Sequence, residues 1–179
     1  MLPLVVAATL ASASPPWGGP APIALGRTIS ASAPLPASAF GRAVAVLADG
    51  VAVGCVEAGA PGPASVGWVE TWARDDDLRV AGWRPAQLLG PFGVSPADAP
   101  PDGAFGAALA ADASWLFVGQ PFAAVDGLPA AGLVHAFRRS SDGTWTFVTA
   151  LAAATPSADA EFGRALAFDG ATLAVGGAS

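Results

Sequence analysis

The 179-residue chain contains no Lys, no Asn and no Tyr, and Ile occurs only at Ile23 and Ile29. These four residue types use AT-rich codons, so their scarcity points to a GC-rich genome. The Ala richness and the choice of Arg over Lys therefore carry no functional information. Charge is scarce too. Only 12% of the residues are charged, all eight cations are Arg, and the net charge is −6. The Arg residues are scattered, with Arg138-Arg139 the one adjacent pair. Recognition of a phosphate backbone needs clustered cations, so nucleic acid is not an expected partner. A single cysteine, Cys55, excludes an intrachain disulfide. Without a neighbouring His or Cys it gives no redox or metal signature, and it is expected to be a small buried hydrophobe. No apolar run is long enough for a membrane-spanning helix. Gly-rich phosphate loops, zinc-ligand spacings and a Ser-His-Asp arrangement are all missing.

Apolar residues make up 53% of the chain, enough for a core and too much for a disordered segment. The length suits one domain. The first residues, MLPLVVAATLASAS, form a short apolar run that ends in the small-x-small pattern Ala11-Ser12-Ala13. Residues 1–13 are therefore expected to be a signal peptide, although its usual positive start is missing, the first Arg being Arg27. The Pro- and Gly-rich residues 14–22 are expected to be a linker.

Beyond residue 22 the chain repeats. Phe40-Gly41, Phe105-Gly106 and Phe162-Gly163 open the stretches FGRAVAVLADGVAVG, FGAALAADASWLFVG and FGRALAFDGATLAVG. Each runs fourteen positions from the Phe to a closing Gly: Gly54, Gly119 and Gly176. Thirteen positions later Gly67 and Gly132 open the strand-like GWVETW and GLVHAF. A polar turn, an aromatic (Trp83 or Trp145) and a short apolar run follow. Each full unit thus predicts four short strands, near 41–47, 51–54, 67–73 and 82–89, then near 106–111, 115–119, 132–138 and 144–151. Helix competes poorly, because Gly and Pro interrupt every candidate window. A four-stranded unit repeated along a chain predicts an all-β fold of stacked β-propeller blades, each burying the faces of its neighbour.

The pairing of Phe-Gly with Leu173-Ala174-Val175-Gly176-Gly177-Ala178 resembles the FG-GAP repeat of integrin α-type propellers and their bacterial relatives. Val53-Gly54-Cys55 and Val118-Gly119-Gln120-Pro121 look like degenerate copies, and the resemblance covers residues 23–179, with units starting at 40, 105 and 162. It implies a partial β-propeller of about two full blades plus half a blade. It also implies a calcium loop between the motif halves in many members. Here that segment holds one acid per unit (Asp49, Asp112 and Asp169), whereas calcium takes roughly six to eight oxygen ligands. These Asp residues are expected to shape turns, and no cofactor is expected. The segment Ile23-Ala24-Leu25 aligns with the last strand of a unit. The resulting strands cannot close a ring, which suggests a truncated product or an open arc completed by another copy. Such an arc would expose apolar faces and edge strands at both ends and favour self-association.

No residue stands out as catalytic. His135, the sole histidine, occupies the position of Glu70 in the first unit and is expected to be a polar strand residue, since no base, nucleophile or carboxylate is patterned around it. Asp75-Asp76-Asp77 reads as a solvated hairpin tip. Asp98, Asp102, Asp159 and Glu161 precede the Phe-Gly pairs, in loops where scaffolds often place binding residues, but solvating acids are the plainer reading. Trp68, Trp72, Trp83, Trp115 and Trp145 could stack on sugars if exposed; core packing is the expectation. The functional expectation is a non-catalytic binding or scaffolding segment for a protein or glycan, secreted or at the cell surface, with no membrane span. The alternatives are an accessory propeller of a larger secreted enzyme and a gene copy without function.

Overall fold

The computed structural model describes residues 5–10, 23–32, 38–57, 67–75, 82–93 and 103–178. Among the described residues the regular structure is β-strand, apart from one 3₁₀ turn at Pro91–Gly93. The strands are β1 (Val5–Leu10), β2 (Ile23–Ile29), β3 (Ser38–Val46), β4 (Gly50–Glu57), β5 (Trp68–Asp75) and β6 (Gly82–Leu89). They continue with β7 (Ala108–Ala111), β8 (Trp115–Gln120), β9 (Leu133–Arg139), β10 (Trp145–Leu151), β11 (Ala165–Phe168) and β12 (Leu173–Gly176). Strands β3 to β6 form one four-stranded antiparallel sheet in chain order, and β7 to β10 form a second. Strands β11 and β12 form a hairpin, as do β1 and β2.

The eight strands expected in the two full units are all present. Their starts differ where local chemistry intervenes. Phe40 pairs with Cys55 inside β3 because a bulge absorbs Gly41 and Arg42, whereas Phe105-Gly106 stays a turn and delays β7 to Ala108. Strand β1 falls within the expected leader, and it pairs with β2, which contains the segment aligned above with a last strand. The whole of the expected linker, residues 14–22, together with Asp76, Asp77, Asp98 and Asp102, lies outside the described residues.

Strand alternation explains why both faces of the inner strands are apolar. Along β4, Val51, Val53 and Cys55 point to one face and pack with Ile29, Phe40, Trp68 and Trp72. Ala52 points to the other face, into a cluster with Leu89 from its own sheet, Phe105 from the turn before β7, and Leu116, Val118 and Phe137 from the second sheet. Along β8, Leu116 and Val118 face that same cluster, while Phe117 joins Val134, Ala136, Leu166, Phe168 and Val175 on the opposite side. A strand buried on both faces must be apolar at odd and even positions alike. The sheets are therefore stacked face to face in chain order. Their first strands lie side by side, β3 against β7 and β7 against β11.

Glycine sets the spacing of this stack. A Cβ on Gly54 would lie 2.1 Å from the carbonyl oxygen of Gly106, and one on Gly119 would lie 2.0 Å from that of Gly163. Gly67 and Gly132 meet the backbones of Phe105 and Phe162 just as closely, at 1.8 and 2.2 Å. The Phe-Gly pair of each later unit is thus seated on glycines of the unit before it. Gly106 and Gly163 both adopt φ 91°, a conformation costly for any residue with a side chain. The recurring motif is a backbone-to-backbone joint between sheets.

Candidate functional site

A cleft of about 800 Å³ opens between the two four-stranded sheets. One wall comes from the β3–β4 turn (Asp49), the middle of β5 (Thr71 and Trp72) and β6 (Arg84 and Gln87). The other comes from the β9–β10 turn, Ser140 to Thr144, with Arg139 and Trp145 beside it. The two turns end their strands on Asp and Gly signals. In the second, the Asp142 carboxylate accepts the backbone N–H of Thr144 at 2.9 Å. That hydrogen bond is the main reason its pKa lies below the ordinary Asp value.

Two links tie the walls together. Arg139 Nη2 donates to Asp49 Oδ2 at 2.7 Å, which holds the Asp49 carboxyl below its usual range, with the Arg84 charge adding a smaller push. Asp49 is mostly exposed, so this pair orders the rim more than it stabilises the fold. The Gln87 amide does the opposite. Its Nε2 donates to the Trp145 carbonyl and its Oε1 accepts the Trp145 N–H, both at 2.9 Å, so a side chain from β6 mimics a strand partner for β10. The Arg139 guanidinium also sits 5.8 Å from the Trp145 ring centre. The lining contains hydroxyls, the carboxylates of Asp49 and Asp142, and the guanidinium groups of Arg84 and Arg139. Such a wall can hydrogen-bond a polar ligand.

His135 lies elsewhere and is completely buried. Its Nε2–H donates to Gln120 Oε1 at 2.7 Å, and its Nδ1 accepts the Phe92 N–H at 3.3 Å. Phe92 and Phe105 pack edge-on against the ring, with centres 4.8 and 5.2 Å away. Burial pushes its pKa down to about 4, so the ring is neutral at physiological pH. Phe92 has φ 54°, an unfavourable conformation for a non-glycine residue, and the histidine helps to hold it. Glu70 performs the matching task one sheet earlier. It is also buried, and its carboxylate accepts the Ser32 hydroxyl at 2.9 Å, the Ser32 N–H at 3.2 and 3.3 Å, and the Trp72 indole N–H at 3.2 Å. Ser32 lies three residues after the end of β2, and Phe92 three residues after the end of β6. Each side chain latches the segment that enters its sheet. The positional match was visible in the sequence, but the burial and the latch were not.

The remaining candidates fall into structural roles. Asp112 Oδ1 accepts the N–H groups of Ser114 and Trp115 at 2.7 Å, and Asp169 Oδ1 accepts those of Ala171 and Thr172 at 2.9 and 2.7 Å. Both are turn residues, and the pKa of Asp169 is lowered by the Thr172 bond first and the Ala171 bond second. Asp159 and Glu161 have positive φ values of 60° and 48° and bond through their backbone N–H groups to Pro129 and Ala130. Glu161 also pairs with Arg164. Cys55 is buried, and desolvation, followed by the nearby Glu70 charge, pushes its thiol pKa upward. Trp68, Trp72 and Trp145 are buried; Trp83 and Trp115 are half-buried, Trp115 stacking on Phe117. Among the described residues no three His, Cys, Asp or Glu side chains come together as a metal-binding group, and no helix is long and apolar enough to cross a membrane.

No family model matches the chain, and no curated protein matches its sequence.

Proposed function

We propose that the chain is an FG-GAP-type β-propeller segment, and that it works as a non-catalytic binding surface for a protein or glycan, secreted or displayed at the cell surface. The observation that carries this reading is the repeated glycine joint. The Phe-Gly pair of one unit sits on the closing Gly of the previous unit at both junctions, Gly54 with Gly106 and Gly119 with Gly163. Side-by-side first strands, with sheets stacked face to face around them, suit the radial arrangement of propeller blades. The two sheets then spread a polar cleft between their outer portions. Its hydroxyls and the exposed Arg84 suit a hydroxyl-rich or acidic ligand group, with Trp145 already committed to the core.

A panel of immobilised glycans and extracellular-matrix proteins tests this function. Binding to at least one member, weakened about tenfold or more by Arg84→Ala, is the expected result, since one charged hydrogen bond is worth roughly 1.5–3 kcal/mol. Binding untouched by Arg84→Ala and by Asp142→Ala would place the ligand off the cleft. No binding across the panel would overturn the reading.

A further inference from the structure

The acid of the first motif turn is used differently from the other two. Asp112 and Asp169 fold their carboxylates back onto their own turns, and each accepts two backbone N–H groups at 2.7 to 2.9 Å. Asp49 stands two positions further from its Phe-Gly pair. Its turn is closed by main-chain atoms, the Leu47 N–H donating to the Gly50 carbonyl at 2.9 Å. The Asp49 carboxylate reaches across the cleft instead, to Arg139 of the next sheet at 2.7 Å. The walls keep a second link without it, the two hydrogen bonds between Gln87 and Trp145. Opening the ion pair therefore leaves the cleft standing.

Arg139 is the better-fixed of the two partners. Its side chain is 20% exposed, against 59% for Asp49. Its Nε donates to the Gly143 carbonyl at 3.4 Å, and its guanidinium lies 5.8 Å from the Trp145 ring centre. The exposed Arg84 belongs to the same lining, and its charge also acts on Asp49. Two guanidinium groups thus converge on one exposed carboxylate at the tip of a turn. A carboxylate on a pre-positioned guanidinium fork occupies the place that the carboxylate of a ligand would take. The exposed hydroxyls of Ser140 and Ser141 line the same wall, while Asp142 is already engaged by Thr144.

We propose that the cleft binds the carboxylate of a sugar acid, a uronate unit of a glycan, on Arg139 and Arg84, and that Asp49 is a built-in competitor for that place. The proposal rests on the reading of this cleft as a binding surface and gives it a ligand class. On binding, the uronate carboxylate replaces that of Asp49 on Arg139, and Asp49 turns to solvent. The hydroxyls of the sugar meet Ser140 and Ser141. This favours a sugar acid over the acidic side chain of a peptide, which brings few hydroxyls. The volume of about 800 Å³ lies within the roughly 300–1,000 Å³ of small-molecule sites. The net charge of −6 does not decide the matter. Charges further off than about 8 Å are screened at physiological ionic strength, which leaves the guanidinium pair to act locally. The competition by Asp49 should weaken binding about two- to fivefold, the measure of an exposed ion pair.

Calorimetric titration of the full chain with trigalacturonate, at neutral pH in EDTA to exclude metal bridging, tests the proposal. The methyl ester keeps the sugar and removes the charge, and should bind at least about tenfold more weakly. Asp49→Asn should bind trigalacturonate about two- to fivefold more tightly than the wild type. Asp126→Asn makes the same change of charge outside the cleft lining and should leave the affinity unchanged. Arg139→Lys keeps a charge but loses the fork, and Arg84→Ala alters an exposed side chain; each should weaken binding about tenfold. A purely structural Asp49 would give equal or weaker binding when replaced, so an Asp49→Asn variant no tighter than wild type overturns the competition. An ester bound as well as the acid, or a hexaglutamate peptide bound more tightly than trigalacturonate, overturns the sugar acid. If trigalacturonate is not bound but another glycan or a protein is, and Arg84→Ala releases it, the ligand class falls and the cleft remains a binding surface. Silence from every ligand overturns both.

Discussion

Acid should loosen this fold through one side chain. His135 has a folded pKa of about 4 against an ordinary value of 6.5, because protonation would place a cation among Phe92, Phe105 and Phe147. A group whose pKa is depressed by folding contributes its stabilisation fully above the unfolded pKa. That contribution fades as the pH falls through the window down to the folded value. The window here runs from 6.5 to about 4. At about 1.4 kcal/mol per pKa unit, the loss across it is about 3 kcal/mol. For a chain of this size that corresponds to a fall in melting temperature of roughly 6–12 °C. The depressed carboxylates Asp49, Asp142 and Asp169 act lower, since their stabilisation is complete above 3.8 and fades only below it. Urea unfolding followed by tryptophan fluorescence, at fixed protein concentration and several pH values between about 4 and 7.5, measures the effect. His135→Leu should be less stable at neutral pH by about 2–5 kcal/mol, because the Gln120 carbonyl and the Phe92 N–H lose their buried partner. Its stability should also be nearly flat across the window. An equal slope in wild type and variant would refute the assignment, as would a wild type insensitive to pH in this range.

Three further substitutions follow, two of them, Gly119→Ala and Gln87→Ala, at contacts between sheets. Gly119→Ala should destabilise the chain by about 3 kcal/mol, because the new methyl meets a backbone carbonyl at 2.0 Å that cannot yield without parting the sheets. Gly143→Ala, where only the flexible Arg139 side chain lies within 4 Å, should cost about 1 kcal/mol from backbone conformation alone; thermal melts compare the two directly. Gln87→Ala leaves both backbone groups of Trp145 without the side chain that binds them, and should cost about 1–3 kcal/mol in chemical denaturation.

The sheets were legible in the sequence because their boundaries are written in Gly, Pro and aromatic residues at fixed spacing. The cleft was not. Asp49 and Arg139 stand 90 residues apart and meet only because one sheet stacks on the next. The latches were hidden for a related reason: Ser32 and Phe92 carry no local pattern, so nothing near Glu70 or His135 announces a partner. Strand β1 was obscured by an ambiguity of composition. A run such as Val5-Val6-Ala7-Ala8-Thr9-Leu10 suits a leader and a doubly covered strand equally well.

The glycine joint has a consequence for how such a chain can change over time. Where two peptide backbones touch, the angle between successive sheets is set by main-chain atoms, which every sequence shares. Side chains elsewhere in the interface then tune stability without steering curvature. A handful of positions per unit (the Phe-Gly pair and the two glycines beneath it) thus sets how closely successive sheets approach.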